Sequence, residues 1–286
     1  MKRILFLAAG LALFTLNLTA DEWKKTEARV DWQKLDIQYT LRVRMDRKDP
    51  RYKNDVLRET AKDMIKQEMG AFLEGLAVDD SHILGDFLKD SSSFSEHYSI
   101  FMMNRDISSF FIQGNILNTS VFVKIRGKDS LLAVIPLPWN TEKYPILQDD
   151  TVNPRFYQTS GYFPADHESV TPEVFDSILV DVSELELRPA LAPRVYTDSG
   201  RLIYGPEFLQ KRYGVERGIV TYMEDYNRMK EKNRLGKNPF ITVALSVSGK
   251  NRTDVVISDK DASRFLAQKK NVENLLKCRV VFLIKK

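Results

Sequence analysis

The chain has 286 residues, 43% of them apolar and 29% charged, with a formal net charge of +4. That is a globular composition, long enough for one large domain or two of ordinary size. Its single cysteine, Cys278, excludes an intramolecular disulfide and reads as a small apolar side chain facing a core. Lys2 and Arg3 precede an apolar run from Ile4 to Leu16, and Leu18-Thr-Ala20 follows. A basic start, a short apolar middle and a small residue at the end mark residues 1–20 as a secretory signal peptide, so the mature chain is expected to begin near Asp21. The rival reading is an uncleaved anchor. No cysteine lies near the cleavage point, and nothing later reads as a membrane span.

From Asp36 to Met45 apolar and polar residues alternate, which predicts a half-exposed strand. Leu57, Ala61, Met64, Ile65, Met69, Phe72, Leu73 and Leu76 recur at helical spacing and predict a helix from about Asn54 to Leu76 that covers a sheet. A short helix around Ile83–Leu88, a break at Ser91–Ser95 and a second helical piece over Glu96–Met103 follow. Strands are expected at Ile107–Leu117, Thr119–Arg126 and Leu131–Leu137, with a tight turn at Gly127-Lys-Asp129. Residues 138–176 hold five prolines and the rings of Trp139, Tyr144, Phe156, Tyr157, Tyr162 and Phe163 without a period. A connection this long and aromatic is either a patch at a domain joint or an exposed binding surface.

The stretch Ile178–Gly205 reads as three short strands. Pro189 and Pro193 break the first from the second. Thr197-Asp-Ser-Gly200 is hairpin chemistry, because Gly can take the positive φ such a loop needs. The runs Leu187-Arg-Pro-Ala-Leu-Ala-Pro-Arg-Val-Tyr196 and Asp198-Ser-Gly-Arg-Leu-Ile-Tyr-Gly205 resemble the signature of bacterial envelope proteins related to FlgP and FlgT. Arg188, Pro189, Pro193, Gly200, Tyr204 and Gly205 carry the motif. Glu59-Thr-Ala-Lys-Asp-Met64, Val78-Asp-Asp-Ser81 and Gly85–Asp90 match the same group loosely. Asn238-Pro239, Lys250–Ser258 and Lys277-Cys-Arg-Val-Val281 match it closely. The resemblance implies a small α+β first domain with one long helix, and an envelope or flagellar structural role in place of catalysis. Many relatives carry a lipid anchor. This chain, lacking the cysteine for one, is expected to be soluble in the periplasm.

Farther on, Ile219, Tyr222, Met223, Tyr226 and Met229 suggest a helix. Ile241–Ser248 alternates as one strand, Gly249-Lys-Asn251 turns the chain, and Val255–Ile257 is a short strand. Ser258-Asp-Lys-Asp261 opens a helix as a capping-box analogue, with apolar positions at Phe265, Leu266, Val272, Leu275 and Leu276. Arg279–Ile284, rich in apolar residues, reads as a central strand. The expected fold is α+β, with two small mixed sheets each covered by helices: an N-terminal domain over 21–137, the connection 138–176 and a C-terminal domain over 177–286.

Chemistry is sparse. His82, His97 and His167 show no metal-ligand spacing, and Asp79-Asp80 and Asp149-Asp150 are adjacent acids of a kind expected by chance. No phosphate loop or nucleophile elbow occurs, and the basic residues at 250–252 lack neighbouring aromatics, which argues against nucleic acid. No cofactor is expected. Charge is uneven: residues 228–286 carry 15 basic and 5 acidic residues, net +10, while 21–227 carry 26 and 34, net −8. A basic end points to an anionic partner. The partner-binding candidates are therefore Lys269, Lys270 and Lys277, and Trp139, Tyr157, Tyr162 and Phe163 in the connection. The leading reading is a non-enzymatic periplasmic binding protein of the flagellar or envelope apparatus, which contacts other envelope proteins or associates with itself head to tail. The alternatives are attachment to anionic envelope lipid and a hydrolase using loop carboxylates.

Overall fold

The computed structural model describes residues 24–45, 54–141, 173–225 and 235–285. The expected signal peptide and most of the connection, including Tyr157, Tyr162 and Phe163, lie outside the described residues. The protein is α+β, and its described residues divide into two compact units, one within 24–76 and 83–135, the other within 77–82 and 136–285.

The first unit is an antiparallel sheet under one long helix. Strands β1 (Lys24–Asp31), β2 (Asp36–Arg44), β3 (Ile107–Gln113) and β4 (Ile116–Lys124) lie in the order β1-β2-β4-β3. The alternation of β2 is realised in full, with Ile37, Tyr39, Leu41 and Val43 buried. Helix α1 (Asn54–Glu74) lays Leu57, Ala61, Ile65, Met69 and Leu73 on that face. A repeat of four residues keeps them on one stripe, and each is at most 2% exposed. Helices α2 (Leu84–Asp90) and α3 (Ser92–Met103) follow. The expected break at Ser91 is in fact the start of α3, because the Ser91 hydroxyl accepts the Phe94 N–H as an N-cap. The expected strand at Leu131–Leu137 is instead a short helix, α4 (Leu131–Val134). Leu131, Leu132 and Ile135 are all buried, a spacing that suits a helical turn and not a pleat.

The second unit carries two sheets where one was expected. Strands β5 (Ser177–Asp181), β8 (Thr221–Met223), β9 (Pro239–Val243) and β12 (Val280–Leu283) form an all-parallel sheet in the order β8-β12-β5-β9. Its central strands, β5 and β12, are nearly continuous apolar runs buried on both faces, as the sequence of the last strand implied. Strands β6 (Val195–Thr197), β7 (Leu202–Tyr204), β10 (Ser246–Ser248) and β11 (Asp254–Ile257) form a mixed sheet in the order β10-β11-β6-β7. The single strand expected at 241–248 is thus split between the edges of both sheets. The helix expected from Ile219 is strand β8, fully buried and paired with β12. Tyr226 and Met229 of that expectation lie outside the described residues.

Helix α5 (Lys211–Arg217) precedes β8 and ends at Gly218, whose φ of 77° turns the chain out of the helix. Helix α6 (Asp259–Leu266) starts at the expected cap, the Ser258 hydroxyl accepting the Asp261 N–H at 3.0 Å. Extended backbone at Gln268 separates it from α7 (Lys269–Leu276), so the apolar positions from Phe265 to Leu276 serve two helices. On α7, buried Asn271 and Asn274 donate to the carbonyls of Glu173, Phe265 and Phe175 and fix the chain where it enters β5. No described helix is long and apolar enough to cross a membrane.

Candidate functional site

The motif at 187–205 builds a polar knot in the second unit. Pro189 and Pro193 hold the chain extended between β5 and β6, where Leu191 and Ala192 donate N–H bonds to the carbonyls of Ala77 and Val78. The Tyr222 hydroxyl accepts the Ala190 N–H at 2.9 Å and donates to the Ala190 carbonyl at 3.0 Å. The Tyr204 hydroxyl donates to the Ile219 carbonyl. Gly200 sits at φ 83° in the β6–β7 hairpin, as its turn demands. Arg188 is exposed, with its N–H on the Arg252 carbonyl.

Arg194 is the centre of the knot. Its guanidinium lies 2.6 Å from Glu207 Oε1, 3.3 Å from Asp79 Oδ2 and 3.9 Å from Asp80 Oδ1. Burial works against the Arg194 charge, but the Glu207 bond and the nearby Glu207 and Asp79 carboxylates outweigh it and hold the guanidinium protonated. Burial likewise disfavours the Asp79 anion. The Ser81 and His82 N–H donors, the His82 ring and Arg194 reverse that and hold its carboxyl below the usual range. Gly205 has no Cβ because Glu207 Oε2 and the Arg194 side chain occupy that space. Asn251 closes the other side. Its N–H donates to the Asp80 carbonyl and its amide to the carbonyls of Asp79 and His82. Segment 77–82 is thereby stapled between the 190–194 run and the turn at Gly249.

Asp254 lies beneath this knot in β11, with 0% exposure. Its Oδ1 accepts the Arg194 N–H and the Thr253 hydroxyl, while Oδ2 is buried without a hydrogen-bond partner. Burial pushes its pKa up to about 7, against the pull of the Arg194 N–H, and the Asp80 charge adds to the rise. Burial also pushes the neighbouring Tyr196 hydroxyl to about 12. A carboxyl poised near 7 has the proton affinity of a general base. It is fully enclosed on an inner strand of the mixed sheet. Among the described residues no group of three or more His, Cys, Asp and Glu is arranged to hold a metal ion.

The sequence-derived candidates are scattered. Lys269 and Lys270 open α7, where Lys270 is tied to Glu273 at 2.9 Å. Lys277 caps the other end, and its carbonyl accepts from Arg217. Part of the basic excess is neutralised within the unit, by Arg252–Glu186 and Arg264–Glu173 pairs. Trp139 is half-buried with its ring over Gly214 of α5, so it serves packing within the unit.

The exposed surface of β9 was not singled out from the sequence. Phe240 and Thr242 are buried, and Thr242 donates to Asp261 of α6. On the opposite face Ile241 and Val243 are 52% and 65% exposed, and Leu245, just past the strand, is 55% exposed. The available signal was the absence of any charged residue from Asn238 to Gly249 in a chain that is 29% charged.

Residues 177–286 match the model of a family described as Treponema pallidum Tp0624, second domain. The match starts at the first residue of β5 and takes in every described strand of the second unit, so this part of the chain is similar to that domain. Segment 77–82, which supplies Asp79 and Asp80 to Arg194, lies outside it. No curated protein matches the chain.

Proposed function

We propose that the mature chain is a non-enzymatic structural or binding protein of the periplasm, working in the flagellar or cell-envelope apparatus. The observation that carries this reading is the solvent-exposed apolar pair Ile241 and Val243 on the outer strand of a parallel sheet, continued by exposed Leu245 just past the strand. Parallel sheets normally have both faces covered, and apolar surface left open on a folded unit marks a contact site. The perturbed ionisable groups around Arg194 support the same reading, since they bond to one another and to the backbone. Attachment to anionic lipid through Lys269, Lys270 and Lys277 is the weaker reading, because Lys270 is engaged by Glu273.

The test is a photo-crosslinking residue at position 243 in whole cells. Adducts with a protein of the envelope fraction are expected. Adducts confined to cytosolic proteins, or none, would remove the reading.

A further inference from the structure

Among the described residues only β5 pairs with β9, which leaves its other edge open. The inner hydrogen bonds fix which peptides face outward. The Asn238 carbonyl accepts the Asp176 N–H, and the Ala244 N–H donates to the Asp181 carbonyl, both at 2.9 Å. Peptide groups alternate sides along a strand, so the even-numbered residues face β5, and Ile241 and Val243 turn their N–H and C=O away from the sheet. The open run is closed at both ends. Pro239 has no N–H, and the Leu245 N–H is taken by the Val256 carbonyl at 2.8 Å. Edge strands are ordinarily protected by charged side chains, and none occurs here from Asn238 to Gly249.

We propose that β9 is a contact between two copies of this chain, paired antiparallel about a twofold axis at Thr242, with Ile241 opposite Val243 of the second copy. The inference rests on the binding reading above and names the partner. In an antiparallel ladder, outward-facing peptides must oppose one another to exchange both their hydrogen bonds. Pairing 241 with 243 about 242 does this on both sides of the axis. A shift of one residue sets outward peptides against inward ones. Twofold symmetry also sets identical stretches side by side, so a charge at 241 or 243 would lie diagonally across from its own copy and repel it. The uncharged run carries no such repulsion, and it offers an unrelated partner no charge by which to be selected. The same operation joins two rows of exposed Ile241 and Val243 on one face, while Thr242 stays under α6 on the other.

The mature chain, residues 21–286, is sedimented over a range of concentrations. A monomer–dimer equilibrium without larger species is expected. Val243→Lys, at a solvent-exposed position, is expected to raise the dimer Kd at least tenfold with an unchanged Tm at concentrations below the dimer Kd. The register is read by oxidising a mixture of Ile241→Cys and Val243→Cys chains. A covalent dimer is expected from the mixture and from neither variant alone, and Cys278, being buried, adds no background. A chain that stays monomeric at its solubility limit, a dimer indifferent to Val243→Lys, or crosslinks between like positions would each overturn the inference. The crosslinker at position 243 separates the two readings. Capture of a different envelope protein, or of the chain's own residues 142–172, in place of a second copy overturns the twofold contact. Capture of the envelope protein leaves the binding function standing.

Discussion

Asp254 makes the stability of the second unit depend on pH. Burial raises its folded pKa to about 7, against roughly 3.9 in an unfolded chain. Between these values the folded state holds a proton that the unfolded state has released, so unfolding free energy falls as pH rises from about 4 to 7. At about 1.4 kcal/mol per unit, the loss from this group reaches about 4 kcal/mol at most. Asp79 acts in the opposite sense. Its lowered pKa gives stability that is present above about pH 4 and lost as the carboxylate protonates below it. Asp254→Asn keeps an acceptor for the Arg194 N–H and removes the buried charge. It is expected to flatten the decline between about pH 4 and 7 and to exceed wild type in stability above pH 7, as urea unfolding across pH would show. Gly214 offers a second test at this scale. In an open helix Gly→Ala gains roughly 1 kcal/mol, but here a Cβ would overlap the Trp139 ring. Gly214→Ala is therefore expected to lower stability by about 1–3 kcal/mol, and a raised Tm would show that the ring is free to move aside.

Among the elements, the β6–β7 hairpin tests conformation without contact. At Gly200, φ is 83° and nothing lies within 4 Å of a built Cβ. Gly200→Val is expected to destabilise the second unit by about 1–2 kcal/mol through backbone strain alone. An unchanged melting temperature would mean that the turn relaxes into another type. This hairpin, the α1 stripe and strand β2 were legible in the sequence because each repeats its own period or carries a turn residue with one conformational use. Strand β8 was not, because three consecutive buried residues have no period and read as helix or strand equally well. Leu131–Leu137 failed for the same reason, its apolar run concealing a helical turn. Strand β1 was passed over because its buried positions, Thr26, Ala28 and Val30, include only one strongly apolar residue. The Arg194 knot was half legible. Its proline frame and Arg194 lay in the recognised motif, but Asp79 and Asp80 stand more than a hundred positions earlier in the sequence, and only folding brings them to the guanidinium. The apolar row on β9 was visible as alternation, yet alternation does not say which face stays uncovered.

For the whole molecule, the two sources of self-association make opposite demands on salt. The sequence sets net +10 in residues 228–286 against −8 in 21–227. Head-to-tail contact between those blocks would build rings or filaments. It would also weaken as salt shortens the screening length from about 10 Å at 0.1 M to about 3 Å at 1 M. Twofold pairing through β9 is made by the peptide groups and uncharged side chains of the strand itself, and a closed twofold interface stops at two copies. Part of the charge asymmetry is in any case satisfied inside the second unit, where Glu186 and Glu173 meet Arg252 and Arg264. The dimer Kd is therefore expected to change by less than about threefold between roughly 0.1 and 1 M salt, with no species beyond the dimer. Reversing Lys269, Lys270 and Lys277 to Glu is expected to leave that dimer intact. Sedimentation at both salt concentrations, on the wild type and the triple variant, measures this directly. A species that grows past two copies at low salt and dissociates at high salt would place the assembly force in the charge blocks. The same result with the triple reversal abolishing it would locate that force on α7.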